Sequence, residues 1–397
     1  MTNLIENNLN VTPSYTIPFK SVDTLVNADT TYGYEITTFE NKAIISKYGK
    51  YDVDYYENDG ANWIKKQTIT GARNIGTKVA FNDEWLALST MVPGTDVGLG
   101  TVEMYHFSND EWVFHSQLAA RWIPNTPPTP AFYQSGFGSS LAFDGDTLYV
   151  GNSVIDVYGA TTPNIGGIKT YTFNGTTWVE GSSIIPPVDQ TSDIKRYATK
   201  MVIDGDLLAD GRYQNTISNY YTPGRVYISK RENGVWGTPI FIDPPVGKER
   251  GFGYSIAVSG NLVFVGTPRS MNTDIPNGSV FIYDCSGVSP VLVQTLERDA
   301  KEEFGFGIKV SKDGQYLAIV SRQYGNPEAK AGNQLTFPIG KVSIFKKNST
   351  GLFGVQPIQM VRPFDMTGKN SFGISIAFSN DSLLVTNYST GAISVFK

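Results

Sequence analysis

Three features of this sequence predict an all-β fold, a seven-bladed β-propeller of four-stranded antiparallel blades. A short phrase recurs seven times, apolar and polar residues alternate with period 2 inside the copies, and a second strand pair follows them. The copies read YGYEITTFENKAIIS from Tyr32, IGTKVAFNDEWLALS from Ile75, FGSSLAFDGDTLYVG from Phe137 and YATKMVIDGDLLADG from Tyr197. The last three are FGYSIAVSGNLVFVG from Phe252, FGFGIKVSKDGQYLAIV from Phe304 and FGISIAFSNDSLLVT from Phe372. Irregular spacing of identical units is expected when each unit carries loops of its own length.

Each copy reads as a hairpin of strands a and b. Its turn is built from Asp144-Gly145-Asp146, Asp204-Gly205-Asp206, Ser259-Gly260-Asn261 or Asn380-Asp381, residue types that tolerate the positive φ of tight turns. Strands c and d follow, as in GGIKTYTFNGTTWVEGSSI (166–184) and GTVEMYHFSNDEWVFHSQL (100–118). The predicted blades span 32–71, 75–118, 136–185, 197–243, 251–297, 303–362 and 371–397. The last stops after strand c. PSYTIPFKSV (13–22) is the only unassigned extended stretch, so 13–24 is expected to close the ring as the outer strand of blade 7, behind a tail of 1–12. Closure removes an otherwise open sheet edge.

The pattern F-G-x-S-[IL]-A-x-x-G-[DN]-x-L-x-V-G, followed by a G-x-[VI]-x-[VI]-[YF] strand and a turn ending in Trp, resembles the FG-GAP repeat family. It is closest to the type that lacks metal loops, distantly similar to integrin α propellers. The resemblance covers Tyr32 to Lys397 and implies a propeller with an adhesion or binding role. Integrin-type members carry a D-x-[DN]-x-D-G calcium loop between strands a and b. Here that junction is two to four residues long and cannot build a cage of six to eight oxygens, so no metal or other cofactor is expected.

Composition narrows the function further. A net charge of -5 gives no basic field for nucleic acid, and charged residues are only 17% of the 397. The opening residues, MTNLIENNLNVTPSY, lack the basic and apolar regions of a secretory signal, and no apolar run approaches the ~20 residues of a membrane span. Such a surface without an export signal suggests release by lysis, as for a virus-particle component, with the cytoplasm as the alternative location. The lone Cys285 reads as a small buried hydrophobe, and His106 and His115 fall in strands of blade 2. Two histidines and one cysteine leave little material for a triad or a zinc site, and no catalytic motif appears. The Phe-Gly pairs are expected where blades converge, and Trp63, Trp112, Trp178 and Trp236, recurring at one repeat position, are expected to pack between blades.

Loop lengths carry the remaining information. The a–b and c–d turns of an up-and-down blade share one face of the disc and are short here. The b–c connections (90–99, 152–165, 212–223, 267–277, 322–339) and d–a connections such as 119–135 and 186–196 share the other face and are long. Trp122, Tyr133, Tyr158, Arg212, Tyr213, Tyr221, Arg269, Arg322 and Tyr324 fall on that face, and Tyr, Trp and Arg dominate protein contacts and stack on sugars. The sequence therefore suggests a non-enzymatic propeller that contacts a protein partner through its long-loop face, as a structural part of a larger assembly such as a virus particle. A carbohydrate-binding or carbohydrate-cleaving propeller is the alternative.

Overall fold

The computed structural model describes residues 21–26, 29, 31–71, 75–90, 100–119, 136–153, 166–187, 197–212, 224–248, 251–268, 277–299, 302–322, 340–363, 372–388 and 390–397. They form seven antiparallel sheets arranged in a ring. Blade 1 holds β2 (Tyr32–Phe39), β3 (Lys42–Lys47), β4 (Asp52–Asn58) and β5 (Trp63–Thr70). Blade 2 holds β6 (Val79–Phe81), β7 (Trp85–Ser89), β8 (Thr101–Ser108) and β9 (Glu111–Ala119). Blade 3 is β10 (Phe137–Asp144), β11 (Thr147–Asn152), β12 (Gly167–Phe173) and β13 (Trp178–Ile184). Blade 4 is β14 (Met201–Asp204), β15 (Leu207–Arg212), β16 (Arg225–Glu232), β17 (Val235–Trp236) and β18 (Ile240–Ile242). In blade 5 come β19 (Ser255–Ser259), β20 (Leu262–Thr267), β21 (Asn277–Asp284) and β22 (Val291–Asp299). Blade 6 has β23 (Phe304–Val310), β24 (Tyr316–Ser321), β25 (Lys341–Lys346) and β26 (Gln359–Val361). Blade 7 has β27 (Phe372–Phe378), β28 (Leu383–Asn387) and β29 (Ala392–Phe396).

The ring closes through the N-terminus, as the missing strand demanded. The closing strand is β1 (Ser21–Val26), paired antiparallel to β29 from Ser21↔Phe396 to Val26↔Ala392. It shares 21–24 with the expected 13–24 and runs on to Val26, and residues 13–20 fall outside the described ones. Leu25 anchors the strand in the apolar layer formed with Trp63, Ala377 and Leu384.

Every interface between neighbouring blades encloses one apolar cluster, which is why no blade could bury its faces alone. The four tryptophans do pack there. Trp112 meets the Tyr55 and Phe81 rings edge-on at 5.9 and 6.1 Å, and Trp178 meets Trp85 at 5.0 Å. The DGD turns are equally structural, because Arg231 bridges two blades by pairing with Asp144 at 2.5 Å and Asp206 at 2.9 Å. His106 and His115 both lie against Trp85, and Cys285 is buried, its thiol pushed up to about 11 by burial.

Several expected details differ. The outer strand of blade 4 is split at Gly237-Thr238-Pro239, where Pro239 has no N–H for a ladder. The fourth strand of blade 6 is reduced to β26 and a lone bridge between Lys347 and Phe353, with Pro357 in the gap. Its c–d connection is thus one extended segment on the short-turn face. The Asn380-Asp381 turn needs no positive φ, because the Ser379 hydroxyl accepts the Ser382 N–H at 3.2 Å. The long b–c connections fall in blades 2–6, as expected, while blades 1 and 7 join strands b and c tersely (Lys47 to Asp52, Asn387 to Ala392).

Candidate functional site: the inner ring and its mouth

Of the nine residues singled out on the long-loop face, Trp122, Tyr133, Tyr158, Tyr213, Tyr221, Arg269 and Tyr324 lie outside the described residues. Arg212 is described by its backbone alone, ending β15 opposite Arg225. Arg322, just past β24, is the one whose side chain is placed. It is paired rather than projecting, with its Nε 2.9 Å from the buried Glu303 Oε2 and its guanidinium 4.5 Å over the Phe306 ring. Exposed aromatics on this face also occur where no long loop rises. Tyr48 (42% exposed) and Tyr51 (56% exposed) flank the short b–c turn of blade 1, and Tyr48 stacks on Tyr34 at 4.9 Å.

Below that face lies the inner ring, formed by the first strand of every blade in contact with the first strand of the next. The recurring F-G-x-S phrase builds it through a bulge. In blade 3 Phe137 pairs with Asn152 and Leu141 with Val150, so four steps on β10 match two on β11 and the Gly-Ser-Ser segment is pushed off the ladder. The same shift occurs at Tyr32/Ile36, Phe304/Ile308 and Phe372/Ile376. The second residue of the phrase has φ between +66° and +90° in all seven blades, which is why glycine stands there in six. Ala198 adopts it in the seventh, at +66°.

In blades 3, 5 and 7 the fourth residue, a serine, stitches the blade to the next. Ser140 Oγ donates to Ala198 O at 2.8 Å, Ser255 Oγ to Gly305 O at 2.7 Å, and Ser375 Oγ accepts the Ile36 N–H at 3.0 Å. Its own freed N–H needs an acceptor. Ser46 and Ser89 hydroxyls serve Glu35 and Lys78 at 3.0 Å, and Thr386 serves Ser375 at 2.9 Å. In blade 4 that support residue is Gly211, and Asp210 takes over. Its carboxylate accepts the Ala198 N–H at 2.7 Å and the Lys200 N–H at 3.1 Å. Asp210 pairs with Met201 where other blades place Val150, Val265 or Ile319 opposite their strand a, and it is fully buried. Burial raises its pKa to about 7 against the pull of its two backbone donors. Sequence reasoning passed over Asp210. The signal was an acidic residue in LLADG where the aligned phrase reads TLYVG or LVFVG.

The fourth position also carries the charges of the ring: Glu35 in blade 1, Lys78 in blade 2 and Lys200 in blade 4. Lys78 Nζ sits 3.6 Å from Glu35 Oε2. Lys200 donates to the Tyr254 carbonyl and lies 4.0 Å over the Tyr254 ring. Desolvation, and then the like charge of Lys78, bring the Lys200 ammonium down to about 7, with Glu35 opposing. Lys78 and Glu35 reach Lys200 electrostatically across blade 3, whose Ser139 and Ser140 hydroxyls both turn to Ala198 O. From Lys200 the contacts continue as a ladder: Tyr254 on Phe306 at 5.1 Å, then Phe306 under Arg322.

Elsewhere the surface offers open grooves. One of about 600 Å³ runs along the split outer strand of blade 4 past Lys230 and Trp236, and one of about 400 Å³ lies on the short-turn face between Ser311, Asp313, Asp381 and Lys397. Among the described residues no group of three or more His, Cys, Asp or Glu could hold a metal ion, and no helix is long and apolar enough to cross a membrane.

Comparison with solved structures supports the propeller. The chain is similar to the Cps50 (Swd1) β-propeller domain of Myceliophthora thermophila, with 12% identity, a TM-score of 0.56 and coverage of 94% of this chain and 98% of that one. It is similar to a chain of the mitotic checkpoint complex (12%, TM-score 0.55, 95% and 94% covered). A putative 6-phosphogluconolactonase from Bacteroides uniformis matches at 12% with a TM-score of 0.55, covering 90% and 91%. Identities this low speak for the fold alone. No family model and no curated protein matches the chain, so the FG-GAP likeness rests on the repeat pattern itself.

Proposed function

We propose that this propeller is a non-enzymatic binding protein that holds a protein partner on the face carrying its b–c and d–a connections. One observation carries the reading. The a–b turns run only from Asp144 to Thr147 or Ser259 to Leu262, whereas the b–c connections run from Ser89 to Thr101, Asn152 to Gly167, Arg212 to Arg225 and Ser321 to Lys341. Segments of that length in a compact fold are usually functional. They differ from blade to blade, which suits one composite protein surface better than repeated sugar pockets. Propellers in assemblies such as the mitotic checkpoint complex are structural neighbours of this chain.

The test is an interface map. The partner, captured by cross-linking, is measured against Trp122→Ala, Tyr213→Ala and Arg322→Ala, and against Asn174→Ala and Asn233→Ala in turns of the opposite face. Long-loop variants are expected to weaken binding by about 30-fold each, equivalent to about 2 kcal/mol, and the turn variants by less than about 3-fold. Contacts concentrated on the short-turn face or the outer strands would overturn the reading. Specific glycan capture without any protein partner would favour the carbohydrate alternative.

A further inference from the structure

Asn-Gly and Asp-Gly pairs are chemically labile, because glycine offers no Cβ to hinder attack of its amide nitrogen on the preceding side-chain carbonyl. In most such pairs of this chain the fold ties that carbonyl down. Asp59 accepts the Ala61 and Asn62 N–H groups at 2.8 and 2.7 Å, and Asn174 those of Thr176 and Thr177 at 3.0 and 2.9 Å. Asp204 accepts the Gly260 N–H at 2.7 Å and Asp313 the Gln315 N–H at 3.0 Å. Asp144 pairs with Arg231, and the buried Asp210 accepts the Ala198 and Lys200 N–H groups. Asn277 stands in the β21 ladder opposite Asp299, with Gly278 buried against Phe304. Asn233-Gly234 differs. Both residues are exposed, and a Cβ on Gly234 would meet nothing within 4 Å. Among the described residues, neither the Asn233 carboxamide nor the Gly234 N–H has a hydrogen-bond partner.

We propose that Asn233 is a spontaneous modification site, at which water converts the carboxamide to a carboxylate and remodels the outer turn of blade 4. The Gly234 nitrogen gives up its proton to solvent and attacks Asn233 Cγ. The new N–Cγ bond expels Nδ2 as ammonia, which carries off a proton, and a cyclic succinimide is left. Water then opens the ring. Breaking N–Cγ yields aspartate, whereas breaking the bond to the backbone carbonyl yields isoaspartate, whose chain runs through Cβ and Cγ. One water is consumed and one ammonia released, with no change of oxidation state. The setting gives the change its consequence. Asn233 and Gly234, at φ +51° and +79°, form the two-residue turn between Glu232 and Val235, and β17 holds only Val235 and Trp236. An isoaspartyl link adds a backbone carbon to that turn, which the Glu232↔Val235 pairing does not accommodate. Either product places an anion in the wall of the groove of about 600 Å³ that Lys230 and Trp236 also line. The change does not depend on the partner-binding face proposed above.

Peptide mapping of the folded full chain, held at pH 8 and at pH 6, tests the assignment. Acid is expected at Asn233 about 10-fold faster than at Asn174, because two hydrogen bonds must break before Asn174 can react. The rate should be higher at pH 8, where the Gly234 amide gives up its proton more readily. In concentrated urea the three Asn-Gly sites should converge, because the protection belongs to the fold. Asn233→Gln should remove the product, with melting temperature confirming that the variant is folded. Hydrogen exchange at Val235 and Trp236 should rise as the wild type ages and stay constant in Asn233→Gln. Asn174 or Asn277 reacting as fast as Asn233 in the folded chain, or the same gap persisting in urea, would overturn the proposal.

Discussion

Blades 2 and 4 write almost the same phrase, Ile75-Gly76-Thr77-Lys78 against Tyr197-Ala198-Thr199-Lys200, and use it differently. In blade 2 the turned-out segment is supported by a neutral hydroxyl, Ser89, which also meets Thr77 at 2.7 Å. Its lysine is 38% exposed and paired with Glu35. In blade 4 the support is a buried carboxyl, the left-handed residue is alanine, and the lysine lies on an aromatic ring. One left-handed turn at the second position thus carries an ordinary ion pair at one place and two strongly perturbed groups at another. The backbone sets where the fourth side chain goes; the neighbouring blades decide what it becomes.

The largest effect expected from this pair is at the left-handed position of blade 2. Gly76 has φ +78°, and a Cβ there would come within 2.5 Å of Val53 Cγ1 and 3.0 Å of Ser46 Cβ. Both neighbours are fully buried and cannot swing away. Gly76→Ala should cost about 3 kcal/mol, the sum of left-handed strain and overpacking, read as a lowered denaturant midpoint. A cost below about 1 kcal/mol would mean that blades 1 and 2 part more easily than their packing implies.

Next come the supports themselves. Asp210→Ala orphans two buried N–H groups and should cost about 2 to 4 kcal/mol, whereas Ser89→Ala orphans one and should cost about 1 to 2. Equal losses in urea unfolding would show that Asp210 does no more than a serine.

Protonation sharpens the contrast. Asp210, with its folded pKa raised to about 7, binds its proton more tightly folded than unfolded. Its contribution is full below about pH 4 and is lost as pH rises to about 7. Lys200, lowered to about 7, behaves oppositely: its contribution is present above about pH 10.5 and is lost as pH falls to about 7. Carboxylates held below their usual range, such as Asp29 and Glu297, add a slope of the other sign in acid, so difference curves are the readout. Relative to wild type, Asp210→Asn should gain stability between pH 4 and 7, and Lys200→Met should lose its advantage between pH 7 and 10.5. Each difference should be on the order of 1 kcal/mol or more. Flat difference curves would show that neither group is shifted, and would leave blade 4 chemically like blade 2.

Much of this architecture was legible beforehand. Each Phe-Gly pair marked the start of an inner strand, and the truncated seventh copy pointed to closure by the N-terminus. The chemistry of the ring was not legible, for a geometric reason. Glu35, Lys78 and Lys200 occupy equivalent places in separate repeats, and only the circular arrangement, with the small side chains of blade 3 between, brings them within electrostatic reach of one another. Asp210 was hidden because its neighbours in LLADGR read as an ordinary strand end, and its role depends on Gly211 leaving a support unfilled. The outer strands were misjudged where Pro239 and Pro357 break the ladder. Of the long-loop residues, Arg322 is the one whose side chain is described, and it is engaged by Glu303 and Phe306.

The smallest effect expected is also the most discriminating. Ala198→Gly removes left-handed strain of about 1 to 2 kcal/mol at φ +66°, which favours the variant. It also loses a fully buried methyl, about 0.8 kcal/mol, and adds about 0.5 to 1 kcal/mol of unfolded-chain freedom. These contributions nearly cancel, so stability should move by less than about 0.5 kcal/mol, in contrast to the severe loss at Gly76. The two substitutions are mirror changes at one backbone conformation. If Ala198→Gly stabilises by more than about 1.5 kcal/mol, torsional strain dominates both sites, and the crowding assigned to Gly76 has been overstated. If it destabilises by that much, the Ala198 methyl is a packing element of the interface between blades 3 and 4, and alanine there is held by its contacts in spite of its torsion.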